Sequence, residues 1–119
     1  MRVLHVIPSL SPSQGGPSFA LPVMERALAM EDLAIETVAT NDDGRGKKSD
    51  VDLFKPIEQN GVTRFFFPKQ CEFYKVSLPL AQWLRENLQS YSLIHIHALF
   101  SFSSVVAARI ARKSNTPFV

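Results

Sequence analysis

Short apolar segments alternate with amphipathic segments along this chain of 119 residues. Most of the apolar runs lack a regular polar alternation, a pattern typical of parallel strands that are covered on both faces. Four runs predict complete strands and a fifth predicts the start of one: 2–7, 35–40, 62–67, 93–97 and 117–119.

Amphipathic segments between these runs carry apolar residues at helical spacing. They are 18–30, 78–89 and 102–113. Ser18 and Ser77 are suitable N-caps, and Pro22 and Pro79 fall in first turns, where a missing N–H costs little. Strands that alternate with helices predict βαβ units. We therefore expect one Rossmann-like α/β domain, with a parallel sheet of order 3-2-1-4-5, strand one central and helices on both faces.

Two connections in this pattern are unusual. Residues 41–61 are polar and charged, and we expect them at the surface, where long loops normally lie. Residues 68–77 contain Phe73 and Tyr74, which either line an acceptor cleft or fill the edge of the domain's own core. The last strand stops after three residues, so we expect the chain to be part of a longer protein.

Composition excludes several classes of protein. An apolar fraction of 45% and a charged fraction of 20% are ordinary for a soluble globular domain. A net charge of +2 without a basic stripe argues against nucleic acid as a partner. The single cysteine, Cys71, excludes an internal disulfide. Neither a signal peptide nor an apolar run of membrane-spanning length is present, so we expect a cytoplasmic protein.

The loop after the first strand is one candidate binding site. Gly15 and Gly16 precede the first helix, where the backbone can approach a ligand closely and free N–H groups attract a phosphate. A glycine turn that only starts the helix explains the same residues. Neither G-x-G-x-x-G nor a Walker A sequence is present, which disfavours a nucleotide-dependent oxidoreductase.

His97 is a second candidate, because it ends the fourth strand, where ligands bind in open α/β sheets. Its imidazole can donate or shuttle a proton near neutral pH, and a structural role is equally open. His95, deeper in the strand, and His5, in the middle of the first strand, are interpreted as structural. Since no third histidine or carboxylate motif accompanies His95 and His97, we expect no metal site.

Ser101 is a candidate for substrate binding, because its hydroxyl can hydrogen-bond a sugar or a phosphate. With Ser103 and Ser104 it lies at the predicted start of the third helix, so capping is the simpler interpretation. No G-x-S-x-G sequence surrounds these serines, which disfavours a serine hydrolase.

Three segments together resemble a known family: HVIPSLSPSQGGPSFALPVMERALA, ETVATND and LIHIHALFSFSSVVAARIARKSNTPFV. They are similar to the subfamily-4-like N-terminal domain of family 4 (group 1) glycosyltransferases. Those enzymes have the GT-B fold, in which two Rossmann-like domains face each other across a cleft. The resemblance implies that residues 1–119 form the acceptor-side N-terminal domain, without the C-terminal domain that holds most of the donor site.

The resemblance also implies roles for individual residues. Gly15 and Gly16 would reach the diphosphate of the donor, and His97 would lie beside the transferred sugar as a catalytic residue. The implied reaction transfers a sugar from a nucleotide sugar to a glycan or lipid acceptor, with retained configuration and with no metal or other cofactor. Such enzymes act in polysaccharide or glycolipid synthesis, and a peripheral contact with the inner face of the membrane is compatible with this.

Half of a cleft cannot assemble the complete transferase site, so we expect the chain to be inactive alone. An alternative of a different class is a stand-alone Rossmann-like module that binds a ligand or a protein without catalysis. The sequence does not identify the donor sugar, the nucleotide or the acceptor.

Overall fold

A computed structural model describes residues 2–10, 16–29, 34–42, 52–59, 62–70, 77–97 and 102–119. Their strands and α-helices are, in chain order, β1 (Arg2–Ser9), α1 (Gly16–Ala29), β2 (Ala34–Thr40), β3 (Pro56–Gln59), β4 (Val62–Phe67), α2 (Leu78–Asn87), β5 (Leu93–Ile96) and α3 (Phe102–Lys113). A short 3-10 turn, Leu88–Ser90, follows α2 directly. No helix in these ranges is long and apolar enough to cross a membrane.

The strands form one mixed sheet of order β3-β4-β2-β1-β5. β1 pairs in parallel with β2 and β5, and β2 pairs in parallel with β4. Beyond β5, Phe118 forms a parallel bridge with Ile94, and the Val119 N–H donates to the Ile94 carbonyl at 2.9 Å. The predicted α/β class, the central position of strand one and the order 3-2-1-4-5 are therefore confirmed.

The edge strand β3 differs from the prediction of one surface loop over 41–61. Residues 56–59 pair antiparallel with β4, and the intervening sequence, Asn-Gly, is a sequence signal typical of a hairpin. Pro56 at the first position and exposed Glu58 suit an edge strand, and half-buried Ile57 packs against the core. The surface position of 52–58 is largely confirmed, whereas Asn41 and Asp42, at the start of the connection, are buried.

Helices cover both faces of the sheet, as predicted. Alternation along β1 places Leu4 and Val6 against buried residues of α2 and α3, including Leu84. Ile7 packs on the opposite face with Leu21 of α1. These two layers are the main hydrophobic core of the described residues. They hold α1 against one face of the sheet and α2 and α3 against the other.

The start of α2 agrees with the sequence-based prediction, and the start of α1 does not. Ser77 caps α2, since its hydroxyl accepts a hydrogen bond from the Leu80 N–H. The prediction for α1 is wrong at its start, because the helix already begins at Gly16 and Ser18 lies inside it. Pro22 is consequently inside the helix rather than in its first turn. Pro17 next to Gly16 accounts for the earlier start, because proline favours the first helical positions.

Candidate functional site

His97 lies at the carboxyl edge of the sheet, directly after β5, as predicted. Its N–H donates to the Val6 carbonyl of β1 at 2.9 Å. Its own carbonyl accepts a 2.7 Å hydrogen bond from the hydroxyl of Ser104, near the start of α3. The backbone of His97 is therefore held between the central strand and the following helix, which orients the imidazole.

His5, His95 and His97 form one cluster, here called the histidine group. His5 and His95 are register partners in β1 and β5, so their side chains leave the same face of the sheet. The ring centroids of His95 and His97 are 4.1 Å apart, and each lies about 5 Å from that of His5. His5 Nδ1 is 3.0 Å from His97 Nε2, a hydrogen-bond distance. The sequence pairs His95 with His97 on one strand but does not show that His5 joins them, so the cluster was not predicted.

Burial keeps the histidine group uncharged at neutral pH. His5 is fully buried, and His95 and His97 are half-buried. Desolvation, with help from the neighbouring His97 and His95, lowers the pKa of His5 to about 3. Desolvation and then His95 lower the pKa of His97 to about 4, and burial also lowers the pKa of His95. Each imidazole consequently offers one lone pair at pH 7.

Low pH should destabilise the fold, because the histidine group is buried in its neutral form. Below pH 6.5 the histidines of the unfolded chain become protonated, whereas His5 and His97 of the folded chain stay neutral. The free energy of unfolding therefore falls as the pH falls from 6.5 towards about 4. Fully buried His5 alone accounts for up to about 1.4 kcal/mol per pH unit. Urea unfolding in EDTA at about pH 7.5, 6 and 5 measures this, above the titration range of ordinary carboxylates. A His5→Leu variant should show a shallower slope, and an equal slope would contradict the assignment to His5.

A row of polar side chains continues from the histidine group across the sheet. Thr37 of β2 is the register partner of His5, and Arg64 of β4 is the partner of Thr37. The buried carboxylate of Glu25, on α1, accepts a hydrogen bond from the Thr37 hydroxyl and forms a 2.6 Å ion pair with Arg64. These contacts fix α1 on the sheet and so position its first residue, Gly16.

A buried ion pair closes the carboxyl edge on the side of β2 and β4. Lys69 Nζ lies 2.6 Å from Asp42 Oδ1, and both side chains are almost completely buried. The Lys69 N–H also donates to Asn41 Oδ1, and the Ser9 hydroxyl donates to the Asp42 carbonyl, each at 2.8 Å. Among the described residues, side chains therefore fill this part of the edge.

The other sequence-based candidates are only partly described. Gly16 is the first residue of α1, so it belongs to a helix N-terminus, which carries free N–H groups. Gly15 and Ser101 lie outside the described residues, as do Cys71, Phe73 and Tyr74. The proposed roles of the glycine pair and of Ser101 therefore stay predictions.

A groove lined by basic residues lies away from the histidine group. It has a volume of about 600 Å³, lies between α2 and α3, and is lined by the cations Arg85, Arg109 and Lys113. Because α2 and α3 cover the opposite face of the sheet, this groove and the histidine group are separate features.

Comparison with solved structures finds a close match in fold. The chain is similar to a crystal structure of Anabaena Alr3699/HepE in complex with UDP and glucose, with a TM-score of 0.60 and 20% sequence identity. The match covers 99% of this chain and 28% of that protein. No family model and no curated protein matches the sequence. The likeness confirms the Rossmann-like α/β fold, and membership of a glycosyltransferase family and subfamily stays a prediction.

Proposed function

We propose that residues 1–119 are the acceptor-side N-terminal domain of a retaining GT-B glycosyltransferase. The enzyme would transfer a sugar from a nucleotide sugar to a glycan or lipid acceptor. The observation that carries this proposal is the fold similarity, over 99% of the chain, to a protein whose structure contains UDP and glucose. The position of His97 at the carboxyl end of β5, beside the central strand, supports it, because ligands bind there in open α/β sheets.

Different residues of this chain would contact the diphosphate and the sugar at the cleft. The N-terminus of α1, with Gly15 and Gly16, would approach the diphosphate and stabilise the charge that develops on it as the bond to the sugar breaks. His97 is neutral and has Nε2 turned toward His5, so Nδ1 is the nitrogen that a sugar hydroxyl would meet. Ser101 would add a hydrogen bond to the sugar or a phosphate.

The proposal includes the surroundings of the enzyme. A second, C-terminal domain would supply the rest of the nucleotide-sugar site, so the 119-residue chain would be inactive alone. The nucleotide sugar is a substrate, and the transfer itself would use neither a metal nor another cofactor. The protein would act in the cytoplasm in polysaccharide or glycolipid synthesis, with or without peripheral contact with the inner face of the membrane, and without a nucleic acid partner.

The decisive experiment begins with the coding sequence beyond Val119. We expect it to encode a second βα domain with paired glutamates, and the longer protein to transfer a labelled sugar from a nucleotide sugar to glycan or lipid extracts. An immediate stop codon, with saturable binding of a ligand but no transfer, would instead favour the non-catalytic module.

Gly16→Val should sharply reduce turnover of the longer protein while its fold stays intact. Because Gly16 is helical, valine there should cost nothing in helix propensity, since glycine is itself about 1 kcal/mol less favourable than alanine and valine at most about 0.7. The added side chain would instead obstruct approach of the diphosphate to the backbone. Gly16→Ala is the matched control and should have a smaller effect, following side-chain size. Circular dichroism checks the fold, and wild-type kinetics in folded Gly16→Val would contradict the role.

A further inference from the structure

Three imidazoles converge at the carboxyl edge, and no role assigned above requires all three. Each of His5, His95 and His97 offers one nitrogen, and the three nitrogens lie within 4.8 Å of one another. These are the only histidines of the sequence, which has three. The whole histidine content of the chain is thus concentrated at one point, contributed by two neighbouring strands.

The spacing of these nitrogens is close to that of a zinc site. Two nitrogens bound at 2.0–2.1 Å to one tetrahedral zinc ion lie about 3.3 Å apart. The 3.0 Å between His5 Nδ1 and His97 Nε2 already matches this value. The widest separation, 4.8 Å, must close by about 1.5 Å to reach it. Rotation of the half-buried side chains, His95 and His97, would supply that movement.

Hydrogen bonding alone does not satisfy the cluster. His5 Nε2 is buried and has no hydrogen-bond partner among the described residues. A buried polar atom without a partner is uncommon in native structures, so a water molecule is expected at Nε2. A zinc ion would instead bind the opposite nitrogen, Nδ1, which lies 3.0 Å from His97 Nε2. The rings of His95 and His97, which are half-buried, tilted by 33° and 4.1 Å apart, add two imidazole nitrogens beside His5, and imidazole is a ligand that suits zinc.

We propose that the histidine group binds one Zn²⁺ ion through His5, His95 and His97. Neutral imidazoles suit zinc and its first-row neighbours, whereas Mg²⁺ and Ca²⁺ prefer oxygen ligands. Three protein ligands leave a fourth tetrahedral position for a water molecule or an oxygen of a bound ligand. This site departs from the expectation of no metal, because only two histidines are close together in the sequence and the fold adds His5. It does not depend on the proposed transferase function.

The test is a zinc titration of the untagged 119-residue chain. Calorimetry with ZnCl₂ should give one ion per chain with a micromolar or tighter dissociation constant. Cobalt(II) should give the visible absorption of tetrahedral coordination, and excess ZnCl₂ should remove it. In NMR spectra of the wild-type chain, the imidazole signals of all three histidines should shift on addition of one equivalent of zinc.

Two variants test the ligands. His95→Gln should weaken zinc binding by more than about tenfold, since losing even a partner behind a metal ligand costs about 10- to 100-fold. Half-buried His95 is the ligand whose replacement disturbs the core least, and circular dichroism confirms that the variant folds. Cys71→Ser removes the chain's one cysteine and should leave zinc affinity unchanged.

Four results would overturn the proposal. They are the absence of saturable zinc binding, NMR shifts confined to one or two histidines, unchanged affinity in folded His95→Gln, and loss of binding in Cys71→Ser. Every readout is a binding measurement on this chain. Failure of the zinc site would therefore leave the proposed function untouched, and failure to detect sugar transfer would leave the zinc site untouched.

Discussion

Lys69→Met should lower the free energy of unfolding by about 3–5 kcal/mol, because it leaves the carboxylate of Asp42 buried without its cation. The side chains of Lys69 and Asp42 are 3% and 0% exposed, and their charged atoms are 2.6 Å apart. Methionine keeps most of the apolar stem of lysine, so the loss reports mainly the charge. Urea unfolding followed by circular dichroism measures the effect.

Two further variants separate the buried charge from loss of packing. The double variant Lys69→Met with Asp42→Leu should recover much of the stability, since apolar pairs often replace buried ion pairs at little cost. Arg2→Met removes the cation of an exposed pair with Glu36, in which the Arg2 side chain is 46% exposed, and should cost about 1 kcal/mol or less. If Lys69→Met cost no more than Arg2→Met, the interpretation of Lys69 and Asp42 as a buried pair would be wrong.

The elements with a strong local pattern could be predicted from the sequence almost to the residue. β4 and α3 begin and end as predicted, because an apolar run and a helical period define them without tertiary information. β3 has no such pattern: Pro56–Gln59 is a mainly exposed edge strand that exists because β4 is beside it. The formation of β3 depends on pairing with β4, and the residues of β3 alone do not predict a strand.

In the candidate site, too, some features follow from the local sequence and others only from the fold. The position of His97 follows from local information, because a buried strand ends there. The histidine group needs the register of β1 against β5, in which His5 lies opposite His95, 90 positions away in the sequence. The predicted order already made these two strands neighbours. It left the register open, and a shift by one residue would have turned the imidazoles to opposite faces of the sheet.

The buried charged residues could not be predicted from the sequence for a different reason. Glu25, Asp42 and Lys69 are residue types that normally lie at the surface, and the sequence places them in an amphipathic helix and in connections. Only the fold shows that Glu25 faces Arg64 and that Asp42 faces Lys69. Such pairs are compatible with burial because each charge has an opposite charge and hydrogen bonds nearby.

In the longer transferase that we propose, His97→Gln should reduce kcat/KM for the nucleotide sugar by at least about tenfold, which corresponds to about 1.4 kcal/mol of transition-state stabilisation. Glutamine can still hydrogen-bond His5 Nδ1, which otherwise would lose the 3.0 Å partner that His97 Nε2 provides. It lacks the ring nitrogen that we place beside the transferred sugar. Stability should therefore fall less than activity, and steady-state kinetics with thermal unfolding on the same preparation measures both.

Tyr91→Phe provides the matched control for a general loss of stability. The Tyr91 hydroxyl donates to Glu36 Oε1 at 2.9 Å, in a contact next to the start of β5 and thus at the opposite edge of the sheet from His97. Its removal should cost about 1 kcal/mol of stability while kcat/KM stays near the wild-type value. His95→Gln should reduce kcat/KM less than His97→Gln, because His95 is further from the carboxyl end. The reverse order would show that the roles of the two histidines are exchanged.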